Sequence, residues 1–257
     1  MIPGKVNIVI PLYNQEQYIG ECMRSAMAQT YGNFDITVIN DGSTDRSALV
    51  AREVVDEWNT TVRPNVCTIV DGAWDFWNRL KIVTQENKGL SESRNIGFRM
   101  GDGEFILPLD SDDWIDPTYL ERTVPQMANP EVGIVSTDMQ YEGLLHTRIP
   151  PKGLTLAHEM VSNDLPVCSL IRRAAFEQTK GYENIFVEIH GNTKVLGYED
   201  WEMWIQILKR GWKVAVVNEP LFHYRVKPVS MITQATKMHT GLVKIVHLLH
   251  PDLWERP

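Results

Sequence analysis

The chain has 257 residues, 43% hydrophobic and 23% charged, the balance of an ordinary globular protein with one sizeable core and no low-complexity segment. Thirty-three acids against 25 bases give a formal charge of −8, which weighs against nucleic acid or an anionic membrane as the main partner and leaves room only for a local basic groove. Cys22, Cys67 and Cys168 form no CxxC pair, and no window reaches the ~18 apolar residues of a membrane span, so the expectation is a soluble cytoplasmic protein whose membrane contact, if any, is peripheral.

Residues 6–10 read as a buried strand. Asn14 is placed as the N-cap of a helix on which Ile19, Cys22, Met23 and Ala26 recur at helical spacing. Residues 34–39 read as the second strand, closed by Asn40-Asp41-Gly42-Ser43-Thr44-Asp45, and Val50, Ala51, Val54, Val55 and Trp58 mark the next helix face. Residues 81–84 and 104–109 continue the series. This alternation predicts a mostly parallel sheet covered by helices. Each strand ends at a polar, glycine-bearing or acidic turn, and ligands of open α/β sheets bind outside the carboxyl ends of the strands. The turns are therefore candidates to share one site.

Beyond a strand over 132–139 the pattern is more mixed. Its clearest element is a helix striped by Trp201, Trp204, Ile205 and Leu208, with Glu199-Asp200 at its start and Gly211 past its end. Residues 59–80, which carry Trp74, Phe76 and Trp77, and residues 186–196 read as insertions.

Asp110-Ser111-Asp112-Asp113 follows directly on an apolar run, and acids packed that closely need a cation or full solvation. At a strand's end the pair Asp110 and Asp112 suits Mg²⁺ or Mn²⁺, which bind one or two carboxylates together with substrate phosphates. The plainer reading is a solvated turn in which Asp113 caps the next helix. Asn40-Asp41-Gly42-Ser43 reads equally as an Asx turn. Asn87-Lys88-Gly89 and Arg94-Asn95 fit either a solvated helix start or a diphosphate site. Glu199-Asp200 fits either catalysis or a favourable charge at a helix start, worth ~0.3–1 kcal/mol. The seven His show no metal-ligand spacing.

Taken together, Ile10-Pro11-Leu12-Tyr13-Asn14, the Asn40 to Asp45 turn, Asn87-Lys88-Gly89 with Arg94-Asn95, Asp110-Ser111-Asp112-Asp113 and Gly197-Tyr198-Glu199-Asp200-Trp201 resemble the family 2 glycosyltransferases of GT-A fold. The resemblance covers roughly residues 5–230. It implies that Pro11, Tyr13 and Asp41 hold the base and ribose, with Asp41 accepting from a uracil N3–H. It implies that Asn87, Arg94, Asp110 and Ser111 line the nucleotide and its diphosphate, that Asp112 ligates a Mn²⁺ or Mg²⁺ ion, and that Asp200, beside Glu199, is the catalytic base. One departure stands out: where family members often carry a metal-binding His past a Tyr-Arg pair, this chain has Lys227 after His223-Tyr224-Arg225. Either His223 substitutes, or Lys227 and Arg225 neutralise the diphosphate directly.

The sequence is thus read as one GT-A domain over 1–257, with a Rossmann-like, mostly parallel α/β sheet and the nucleotide-sugar site at the strand carboxyl ends. Residues 1–115 form the nucleotide half, 116–230 the acceptor half and 231–257 a helical tail. The expected activity is metal-dependent, inverting transfer from a nucleotide sugar, a UDP-sugar, to a hydroxyl of a glycan or glycoconjugate, as in polysaccharide biosynthesis. Two rivals stand beside it: transfer to a modified base in DNA, and noncatalytic binding of a nucleotide sugar.

Overall fold

The computed structural model describes residues 1–61, 79–152, 154–189, 193–228 and 235–254. Four strands, β1 (Ile2–Leu12), β2 (Phe34–Asn40), β3 (Leu80–Thr84) and β4 (Gly103–Pro108), pair in parallel in the spatial order β3-β2-β1-β4. The helices between them are α1 (Ile19–Met27), α2 (Ser47–Thr61) and α3 (Leu90–Met100). Side chains alternate across a strand, and β1 uses both faces for the core. Val6, Ile8, Ile10 and Leu12 join the cluster built with α1 and α2, whereas Val9 joins the cluster of Phe98 on α3. A near-continuous apolar run such as Val6-Asn7-Ile8-Val9-Ile10, broken only by the buried and hydrogen-bonded Asn7, is the mark of a strand covered on both sides.

The rest of the sheet is mixed. After β5 (Trp114–Ile115) and α4 (Tyr119–Thr123), β6 (Val132–Gly143) turns back through β7 (Thr147–Ile149). Following α5 (Leu156–Glu159), β8 (Leu170–Arg172) lies antiparallel between β4 and β6 and completes a nine-stranded sheet with β11 (Lys213–Val226), which runs parallel to β6. Two buried arginines at the end of β8 hold this unexpected strand. Arg172 donates to the carbonyls of Met127 and Val132 at 2.6 and 2.8 Å, and Arg173, which opens α6 (Arg173–Phe176), donates to the Phe98 carbonyl at 2.8 Å and to Asn7 Oδ1 at 2.9 Å.

Residues 186–196 form a hairpin of β9 (Phe186–Ile189) and β10 (Thr193–Leu196). It leads into α7 (Glu199–Leu208), which is apolar on two sides. Met203, Trp204 and Ile207 enter the β4 side of the core, while Trp201 and Ile205 pack against Leu242 and Val246 of the helix His239–Leu249. The first helix starts at Ile19 rather than after Asn14, which sits at φ 51° and turns its amide to the β2 turn. Most of the insertion expected over 59–80, with Trp74, Phe76 and Trp77, lies outside the described residues.

Candidate active site

A cleft of about 840 Å³ opens at the carboxyl ends of β1, β2 and β4, where the strand order reverses on either side of β1. Pro11 and Tyr13 reach it from β1, Asp41 from β2, Asn87 from the turn after β3, and Asp110, Ser111 and Asp112 from β4. The sequence-predicted donor residues therefore meet in one place.

The first two turns are zipped together. Asn14 Oδ1 accepts from Thr44 N at 2.8 Å, and Asn14 N donates to Ser43 Oγ at 3.2 Å. Gly42 carries φ 73°, and a Cβ there would stand 3.0 Å from Asn87 N, so glycine lets the β2 and β3 turns touch. The Asp41 carboxylate is almost fully buried and organises this contact. Its Oδ1 accepts from Gln85 Nε2 at 2.7 Å and Lys88 N at 2.8 Å, and its Oδ2 from Gly89 N at 2.8 Å. Gln85 escaped the sequence reading because it belongs to no motif and acts through Asp41.

Arg94, on α3, lines the cleft but is 1% exposed, and its guanidinium is committed to the protein. It donates to Asp110 Oδ1 at 2.6 Å and to Glu199 Oε1 at 2.7 Å, with the Tyr182 ring 5.2 Å from its centre. Burial works against the charge, but the two carboxylates outweigh it and hold Arg94 protonated well beyond the ordinary range. One cation thus couples the acidic turn after β4 to the start of α7.

Asp200 stands across the cleft, one residue into α7. The turn before it places Tyr198 in the left-handed region at φ 68°, a conformation that costs a non-glycine residue of order 1 kcal/mol and that clusters at functional sites. Asp200 Oδ1 accepts from Trp201 N at 2.8 Å and Oδ2 from Asn163 Nδ2 at 3.2 Å. Burial, then Glu199, push its carboxyl up to about 6, against the opposing pull of Arg94, Asn163 and the Trp201 amide. That value suits proton transfer near neutral pH. Asn163 was not foreseen: it sits in a polar stretch without a motif, 37 positions from its partner.

The end of β11 supplies the cations. Lys227 lines the cleft and pairs with Asp112 Oδ2. Arg225 sits behind, its Nε donating to the Asp112 carbonyl at 2.9 Å and its guanidinium between the rings of Trp114 and Tyr18 at 4.5 and 4.8 Å. His223 does not line the cleft; it stacks on Trp114 at 5.2 Å and lies 3.4 Å from Glu142. Asp113 caps no helix. It is buried, and its Oδ1 accepts from Arg225 N at 2.8 Å. Among the described residues no group of three His, Cys, Asp or Glu could hold a metal. The carboxylates of Asp110 and Asp112 nevertheless offer hard oxygen donors of the kind Mg²⁺ and Mn²⁺ take when phosphates and water complete the shell.

The arrangement of sheet, turns and cleft is that of a GT-A glycosyltransferase. Among solved structures, TarS 1-349 of S. aureus in complex with UDP-GlcNAc superposes with a TM-score of 0.68 at 17% identity, covering 95% of this chain and 66% of that one. A mannosyltransferase from Pyrobaculum calidifontis in complex with GDP-Man and Mn²⁺ gives 0.66 at 17% identity, covering 98% and 65%. The model of the family described as Glycosyl transferase family 2 matches residues 7–180, and the chain belongs to that family. Among curated relatives, the putative glycosyltransferase EpsH of Bacillus subtilis is 28% identical over 90% of this chain and 64% of its own length. Glycosyltransferase GlyA of Streptococcus pneumoniae is 32% identical over 58% of this chain, which spans only 19% of GlyA. No helix among the described residues is long and apolar enough to cross a membrane.

Proposed function

We propose that this domain transfers a sugar from a UDP-sugar to a hydroxyl of a glycan or glycoconjugate, with inversion at the anomeric carbon and with the help of a divalent ion. The observation that carries the reading is the convergence in one cleft of Asp41, the Asp110 to Asp112 turn and Asp200. Residues 1–115 would hold the donor: Pro11 and Tyr13 against the base and ribose, Asp41 beside the base, Asn87 and Ser111 along the diphosphate. Residues 116–230 would receive the acceptor, and Asp200 would take its hydroxyl proton as that oxygen attacks from the face opposite the leaving group. A single displacement needs no covalent nucleophile.

Asp112, with Asp110 beside it, would hold the Mn²⁺ or Mg²⁺. When bound, that ion supplies charge neutralisation for the departing diphosphate. Lys227 and Arg94 add positive potential on the same side of the cleft, Arg94 indirectly through Asp110.

Two outcomes are expected. Calorimetry should show UDP binding more tightly than GDP, and Asp41→Ala should weaken UDP by about 1.5–3 kcal/mol, the worth of a hydrogen bond to a charged group. The lost order of the Gln85 to Gly89 turn would add to that loss. Equal or tighter binding of GDP would show that the base is not uracil, a live contrast given the GDP-Man bound by the Pyrobaculum enzyme.

The second outcome concerns pH. A base held near 6 is ionised and competent above that value and protonated below it. The acid limb of kcat/KM should therefore fall about tenfold per unit below roughly pH 6. A rate profile that stays flat down to pH 5 would remove Asp200 from the role.

A further inference from the structure

Every carboxylate of the turn after β4 already has a partner from the chain itself. Asp110 is held by Arg94 at 2.6 Å, Asp113 accepts the Arg225 amide at 2.8 Å, and Asp112 is held by Lys227. The last pair is sheltered, with side-chain exposures of 16% for Lys227 and 23% for Asp112, so its attraction is only partly screened. The Lys227 ammonium also lies 4.9 Å over the Tyr18 ring. Arg225 fixes the backbone just before it, through the Asp112 carbonyl and through an ion pair with Glu21. Lys227 is thus a flexible cation tethered to a rigid base, with its charge on the one carboxylate that a divalent ion would need.

We propose that Lys227 is an internal competitor for Asp112, so that uptake of the divalent ion is conditional on the donor diphosphate. The inference rests on the donor-site reading above. With the donor absent, Asp110 with Arg94 and Asp112 with Lys227 are pairs of opposite charge. Freeing Asp112 for a metal then leaves an ammonium with no counter-ion beside a dication, and both terms oppose binding. With the diphosphate in the cleft, Lys227 gains phosphate oxygens as new partners and can leave Asp112 at little cost. Such coupling is reciprocal: the metal strengthens donor binding by the same factor as the donor strengthens metal binding.

The test is Mn²⁺ binding followed by the paramagnetic resonance of the free ion, with and without UDP, in the wild type, Lys227→Met and Lys227→Arg. The wild type should bind Mn²⁺ weakly alone and far more tightly with UDP. Lys227→Met should bind Mn²⁺ alone about tenfold more tightly or better, and its gain on adding UDP should shrink by a similar factor, within the usual span of coupling between two sites. Lys227→Arg keeps the charge and should stay near the wild type. Mn²⁺ affinity unchanged in Lys227→Met would overturn the competition, as would a Lys227→Arg protein that behaves like Lys227→Met. UDP binding in saturating Mn²⁺, read by calorimetry on the same three proteins, separates the two levels. UDP that binds while Lys227 has no effect on Mn²⁺ sinks this inference alone, whereas UDP that binds none of the three proteins sinks the donor site and the inference together.

Discussion

Asp200→Asn should lower kcat by roughly 10²–10⁴-fold, the usual share of general-base catalysis, while melting temperature and UDP affinity stay close to wild type. The substitution separates chemistry from structure because the site can absorb an amide. Oδ1 still accepts from Trp201 N. The new amide NH₂ would face Asn163 Nδ2, but Asn163 has its own Oδ1 buried without a partner, and a flip of that amide restores the bond. Helix α7 loses one negative charge at its start, an effect of no more than ~1 kcal/mol. Against it, burial already disfavours the ionised carboxyl, so removing the charge relieves a cost at pH 7. A variant with near-normal kcat would show that Asp200 only favours its helix end.

Arg94→Met should be the most destabilising single change at the site, by about 3–5 kcal/mol, because it strips the partner from two carboxylates at once. Glu199 is 8% exposed at its side chain and Asp110 22%, so Glu199 has the least water to turn to. Methionine fills much of the volume against Tyr182 and keeps the cavity contribution small, which leaves the unpaired charges as the main cause. Arg94→Lys should recover part of the loss but not all, since one ammonium cannot reproduce a fork that reaches both carboxylates. Denaturant titration measures each step. A loss below about 1 kcal/mol for Arg94→Met would mean that the two acids find water or other partners, and that the link between the acidic turn and α7 is not structural. UDP affinity in the folded fraction should fall as well, because Asp110 loses its fixed position.

The parts of this molecule that were legible in the sequence share a physical reason. Strands buried on both faces are near-continuously apolar, and the polar turns of parallel strands meet where the strands end, so β1, β2 and β4 and the positions of Asp41, Asp110 and Asp112 could be read in advance. Helix α7 was legible because its apolar residues outnumber one face, as its burial between two clusters requires. Contacts between distant segments were not legible. Asn14 looked like a cap because its residue type suits one, yet its amide serves Thr44 on the neighbouring turn. β8 is three residues long, too short for any period to show, and its place depends on what Arg172 and Arg173 find far away in the chain. His223 as a substitute metal ligand and Lys227 as a neighbour of the diphosphate both stay open in the sequence, whereas β11 turns the first onto Trp114 and the residue just past its end onto Asp112.

The central claim is a single displacement driven by Asp200 on an α-linked donor, and it can be tested without knowing the acceptor. In a long incubation with UDP-glucose, UDP-galactose or UDP-GlcNAc, water would stand in for the acceptor hydroxyl, and proton NMR would read the anomeric form of the sugar as it is first released. Attack from the face opposite the diphosphate must give the β-anomer first, with the α-form growing in only through mutarotation, and that is the predicted result. First appearance of the α-anomer would contradict the account.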